Sequence, residues 1–99
     1  MLNQIIIVGR IHSIKDYGVI IRNSIPEGDE DHRTFREIDI PVTLPGSLME
    51  NTLEYCKEGD VVGIHGCIDV NEHKRLFLRA NKISFLSSKQ PEKEAEEDA

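Results

Sequence analysis

The chain has 99 residues, of which 38% are apolar and 30% charged, and its 12 basic and 18 acidic side chains leave a formal charge of −6. That length makes one domain with a modest core, and no apolar run approaches the roughly 18 residues that a membrane-spanning helix needs. The opening MLNQIIIVGR lacks the layout of a secretory signal. Cys56 and Cys67 lack disulfide-framework spacing, so a reducing, cytoplasmic setting is expected.

Gln4–Ile14 is rich in β-branched residues and short of helix formers, which predicts a first strand. Gly9 inside it suggests a bulge or bend. Lys15–Gly18 reads as a turn, and Val19–Asn23 as a second strand paired with the first. Ser24–Arg33 contains Pro26, Gly28 and four acids between Glu27 and Asp31, and is expected to be a mobile loop.

Phe35–Leu44 alternates with period two. Ile38, Ile40 and Val42 fall on one face; Phe35, Glu37, Asp39 and Pro41 fall on the other. Pro41 would suit an edge or a strand end.

Pro45-Gly46 then stops the strand, and Ser47 with Glu50 three residues later predicts a capping box. The helix should run about Leu48–Lys57. Met49, Leu53 and Cys56 should share its buried face, with Leu48 and Thr52 beside them, and Gly59 should stop it.

Val61–Val70 is a fourth strand, with Val62, Ile64, Ile68 and Val70 on one face, Gly63, His65, Cys67 and Asp69 on the other, and a bend at Gly66. Asn71–Lys74 is a tight turn, and Arg75–Leu86 is a fifth strand. Leu76, Leu78 and Ala80 should face the core, while Phe77, Arg79 and Asn81 face away. The alternation slips near Lys82, so that Ile83 and Phe85 become the buried pair, which suggests a bulge. Beyond Ser88 the composition turns to Gln, Pro, Glu and Lys, and residues 89–99 are expected to be a disordered acidic tail.

The charge follows this layout. Pro91–Ala99 carries five acids and one base, a charge of −4, and residues 1–90 carry −2. Without the acids of Glu27–Asp31 the remaining body is +2. The acidity that argues against a nucleic-acid partner therefore sits in a tail and one loop.

The order β-β-β-α-β-β in under 90 residues, with glycine-marked bends, predicts an all-β fold. It is a five-stranded Greek-key OB barrel with one helix between strands 3 and 4, spanning residues 1–88. An SH3-like barrel is the nearest rival but does not normally carry such a helix there.

Three segments carry a resemblance. LNQIIIVGRI (Leu2–Ile11), TFREIDIPV (Thr34–Val42) and YCKEGDVVGIHGCI (Tyr55–Ile68) resemble the first strand, the third strand, and the helix end, turn and fourth strand of bacterial single-stranded DNA-binding proteins. The resemblance covers roughly Met1–Leu86. It implies an OB-fold homo-oligomer (dimer or tetramer) that grips single-stranded DNA by base stacking and phosphate contacts. The expected setting is replication, repair or recombination, at the nucleoid, with no catalysis, cofactor or membrane. It also implies that the acidic tail could dock replication proteins.

The residues supply candidates for that work. Single strands need π-faces for stacking and cations for phosphates. Phe35 and Phe77 lie on the non-core face by alternation, and Phe35 stands where the resemblance places a stacking tryptophan. Arg79 shares the face of Phe77. Arg10, Arg22, Lys74 and Arg75 add charge near strand ends.

The chain differs from the family pattern in having no tryptophan, a bare turn between strands 4 and 5, and Glu37 and Asp39 on the presumed ligand face. Those differences favour an alternative, an OB-fold protein-interaction module resembling a primosome accessory subunit with weak or no DNA binding. Phe35 and Phe77 would then be subunit contacts.

His12, His32, His65 and His73 lack the spacing of a zinc site, and no nucleophile motif or glycine-rich phosphate loop is present. Neither a metal nor an enzyme is expected.

Overall fold

A computed structural model describes residues 1–87. The expected tail, residues 89–99, lies outside the described residues.

Five strands, β1 (Ile5–Ile14), β2 (Gly18–Glu27), β3 (Thr34–Thr43), β4 (Val61–Val70) and β5 (Leu76–Ser87), close a barrel in the order β1-β2-β3-β5-β4. One helix, α1 (Gly46–Tyr55), joins β3 to β4. This is the five-stranded OB barrel anticipated from the element order. Every pairing is antiparallel except β3 with β5, which meet in parallel at only two positions, Val42↔Leu78 and Thr43↔Arg79. Pro41 stands just before that seam, where among the described residues β3 has no strand partner on that edge and the missing N–H costs no ladder bond.

The core is built from β-branched residues of the inward faces: Ile11, Val19, Ile21, Val42, Val62 and Ile64, with Leu44, Cys56 and Ala80. Asn3 extends the β1–β4 ladder with its side chain. Its amide nitrogen donates to the Ile68 carbonyl at 2.6 Å, and its oxygen accepts from the Ile68 N–H at 3.0 Å. One amide thus does the work of a paired residue.

Several details differ from the sequence reading. Of the bulge or bend expected at Gly9, the register shows no bulge there; the β1–β2 shift falls at His12. Gly9 has another role: a Cβ there would collide with the Arg22 carbonyl and the Ile21 side chain. The slip in β5 is present, and Asn81 is the extra residue between the pairs His65↔Lys82 and Gly66↔Ala80.

β2 runs four residues past Asn23, to Glu27. Asn23–Glu27 and Thr34–Ile38 pair with each other and form a two-stranded arm, so the expected loop shrinks to residues 28–33. Ser24 and Ile25 sustain the strand alternation. Glu27 is held by Arg36 across the pair, with Nε to Oε1 at 2.6 Å.

α1 starts at Gly46, with Pro45 as N-cap and no side-chain cap bond, so Ser47 is already inside the first turn and the capping box does not form. The buried stripe is Leu48, Met49, Thr52 and Cys56, whereas Leu53 is exposed. Thr52 can be fully buried because its hydroxyl donates to the Leu48 carbonyl at 2.8 Å.

Ile68, Val70 and Leu76, expected in the core, are exposed, as is Phe85. They keep the inward parity of their strands, but the first three lie near the β4–β5 turn, beyond the packed interior. Phe85 packs against Tyr55 of α1, ring centroids 6.1 Å apart.

Candidate nucleic-acid interface

The outward face of β3 is the backbone of the site. Phe35, Glu37, Asp39, Pro41 and Thr43 follow one another on it by strict alternation. At about 3.3 Å per residue this row is about 26 Å long. The candidate residues fall at three places along it.

Phe35 lies on the arm and is 68% exposed. Its register partner is Pro26.

In the middle, Arg10, Arg22 and Asp39 form one cross-strand row over β1, β2 and β3. The Arg22 guanidinium grips Asp39 with both ends, Nε to Oδ1 at 2.9 Å and Nη2 to Oδ2 at 3.1 Å. The paired hydrogen bond raises the Arg22 pKa and lowers that of Asp39. His12, pushed out by the β1 bulge, has Nε2 3.4 Å from Arg22 Nη2. Arg10 reaches the Gly59 carbonyl at 2.9 Å.

At the far end, Phe77 is half-buried in an apolar groove. Tyr17 from the β1–β2 turn, Pro41 and Thr43 from β3, and Leu76 line it too. Arg79 pairs with Asp69 at 2.7 Å and lies 3.5 Å from the Cys67 sulfur. The turn above the groove is tied by Asn71, whose side-chain oxygen accepts from the N–H groups of His73 and Arg75. Lys74 takes a left-handed backbone, φ 61°.

The structure therefore brings Phe77, Arg79, Lys74 and Arg75 to one end of the barrel and Arg10 and Arg22 to its middle, and leaves Phe35 apart. Phe35 and Phe77 do not form one stacking surface. Tyr17 was not among the candidates. Its place in the turn that joins β1 to β2 sets it beside the end of β3, where it lines the groove with Phe77.

A second outward surface lies on β1, β4 and β5. Ile6 (70% exposed), Val8, His65, Lys82, Ser84 and Leu86 form a largely apolar groove there. On its other edge β1 pairs with β2 only from Arg10 onward, and Asn23 donates to the Val8 carbonyl at 2.6 Å.

Among the described residues no group of His, Cys, Asp and Glu converges to hold a metal ion, and no helix is long and apolar enough to cross a membrane.

No protein-family model matches the sequence, and no curated protein does. Solved structures do. A deletion mutant of the single-stranded DNA-binding protein from Thermus aquaticus superposes with a TM-score of 0.72 at 17% identity, over 90% of this chain and 52% of that one. The chain thus spans about half the length of that relative. The single-stranded DNA-binding protein of Plasmodium falciparum, solved with single-stranded DNA, gives 0.68 at 14% identity, over 88% and 96% of the two chains. The PriB protein from Ralstonia solanacearum gives 0.61 at 15% identity, over 86% and 98%. The chain therefore has the OB fold that single-stranded DNA-binding proteins use.

Proposed function

We propose that the protein binds single-stranded DNA without reading its sequence, as a homo-oligomer, in replication, repair or recombination. The observation that carries this reading is the outward row of β3, which ends in the Tyr17–Phe77 groove with Arg79, Lys74 and Arg75 beside it. Bases stack on the rings, each contributing on the order of 1–3 kcal/mol, and the cations meet phosphates. The fold shared with proteins solved as single-stranded DNA binders supports it.

A second copy covers the apolar β1–β4–β5 groove. The support is the exposed Ile6, Val8 and Leu86 beside a β1 stretch, Ile5–Ile7, that among the described residues pairs with β4 on one edge and with no strand on the other. Val8→Glu should yield a monomer in analytical ultracentrifugation.

The test is the anisotropy of a labelled oligo-dT titrated with protein at low and moderate salt. Binding that weakens with salt is expected, because phosphate contacts release counterions. Absence of salt-sensitive binding at tens of micromolar protein would refute the reading.

One observation favours a second reading, an OB-fold interaction module with weak DNA grip. Arg22, Arg36 and Arg79 are each already held by a carboxylate of the neighbouring strand. Under that reading the chain and a partner protein co-purify through the same face, and oligo-dT does not compete.

A further inference from the structure

The three arginine–carboxylate pairs share one plan. Each joins adjacent strands: Arg22 with Asp39 and Arg79 with Asp69 on the outer face of the barrel, and Arg36 with Glu27 on the opposite face of the arm. Two of them lie along the surface described for the nucleic acid: Arg22–Asp39 at the middle of the β3 row, and Arg79–Asp69 on β5 and β4 beside Phe77. All of these side chains are at least about one-third exposed. Pairs this open contribute little to stability because water and salt screen them. They are therefore poor candidates for holding the barrel together. They do, however, fill the guanidinium fork of Arg22, which would otherwise take a phosphate with two parallel hydrogen bonds.

We infer that Asp39 and Asp69 are built-in competitors for phosphate, so that a nucleic acid engages Arg22 and Arg79 only by displacing a carboxylate. This rests on the proposed single-strand binding and names its regulation at the same site. The exchange is feasible because each pair is weak in water. It costs affinity because the released carboxylate stays beside the phosphate and takes up a cation. Binding is thus held down and its salt slope flattened, and most of the remaining affinity comes from stacking. Discrimination follows: ligands with stackable, unpaired bases are retained, and polyanions that offer phosphate alone are not.

The test compares Asp39→Asn, Asp69→Asn and the double variant with the unmodified chain, using labelled oligo-dT over a salt series and heparin as a base-free polyanion. Asn keeps the shape and removes the charge. Each single variant should bind oligo-dT roughly twofold to fivefold more tightly, the equilibrium equivalent of one exposed pair. The salt slope should steepen by about 0.7 per freed arginine, and heparin should begin to compete in the double variant. Asp39→Glu, which keeps the charge, should behave as the parent. Glu54→Gln on the exposed face of α1 changes net charge equally and should leave both slope and affinity alone. Thermal melts confirm folding.

If the parent binds with a salt slope and the Asn variants match it, or if Glu54→Gln has the same effect, the competitor role is overturned and the binding function stands. If the parent fails to bind and the double variant binds, the carboxylates block the arginines outright, and single-strand binding by the unmodified chain falls. If none of them binds, both readings fall.

Discussion

Replacing Phe77 by leucine separates stacking from packing. Phe77 is half-buried, with Ile40, Leu76 and Leu78 around the same groove. Leucine preserves most of the apolar contact, and such exchanges usually cost less than about 1.5 kcal/mol of stability. Against a typical domain stability of about 5–15 kcal/mol that loss leaves nearly all molecules folded, so it does not reach the binding constant. The ring itself is irreplaceable if a base stacks on it. Loss of about 1–3 kcal/mol per stacked base weakens oligo-dT binding about fivefold to 150-fold. Tyr17→Leu should have an effect of the same size with a smaller change in melting temperature, because Tyr17 is exposed in its turn. If the two rings flank one base, the double variant loses less than the sum. Anisotropy titrations at fixed salt measure the affinities, and circular dichroism melts measure stability. Affinities within twofold of the parent for both single variants would refute the groove as a stacking site.

Other consequences follow from the same structure. Asn3→Ala removes two hydrogen bonds to Ile68 and should cost about 1–2 kcal/mol, lowering the melting temperature by about 5–15 °C; an unchanged melt would show that the ladder does not need them. Gly66→Ala sets a Cβ against the Arg79 carbonyl and should destabilise by about 1–3 kcal/mol, read by urea denaturation. Burial raises the Cys56 thiol to about 11. The folded state holds that proton where the unfolded chain loses it, so its contribution is intact below about pH 9 and is lost as pH rises through about 11. Urea midpoints measured across this range should fall, and at pH 8 a thiol reagent should label the half-buried Cys67 before Cys56.

The sequence was most informative where one physical pattern acted alone. Alternation in Phe35–Leu44 sorted the faces of β3 correctly, because Ile38, Ile40 and Val42 turn inward along the whole strand. The slip in β5 was legible because two apolar phases cannot share one face without an extra residue, which is Asn81.

Long-range contacts were not legible. Ile68 and Leu76 have inward parity, but whether the interior extends that far depends on where the barrel ends. Ser47 and Glu50 made a sound capping box on paper, yet Pro45 starts the helix earlier because it already has the fixed φ of a turn and its carbonyl accepts from Met49. The acids of Glu27–Asp31 suggested a loose loop, but Glu27 is drawn into the arm by Arg36, a partner across the hairpin. The site divided the same way. Outward parity set Phe77 and Arg79 on the outer face of β5, and it could not place Phe35 far from them or put Tyr17 beside Phe77.

Where a single strand lies on the barrel is most directly read by amide chemical-shift mapping of the labelled protein during titration with oligo-dT. The largest shifts should fall on Tyr17, Thr43, Phe77 and Arg79, with smaller ones running along β3 through Asp39. Shifts confined to Ile6, Val8, His65 and Leu86, or none at all, would contradict a nucleic-acid track along β3.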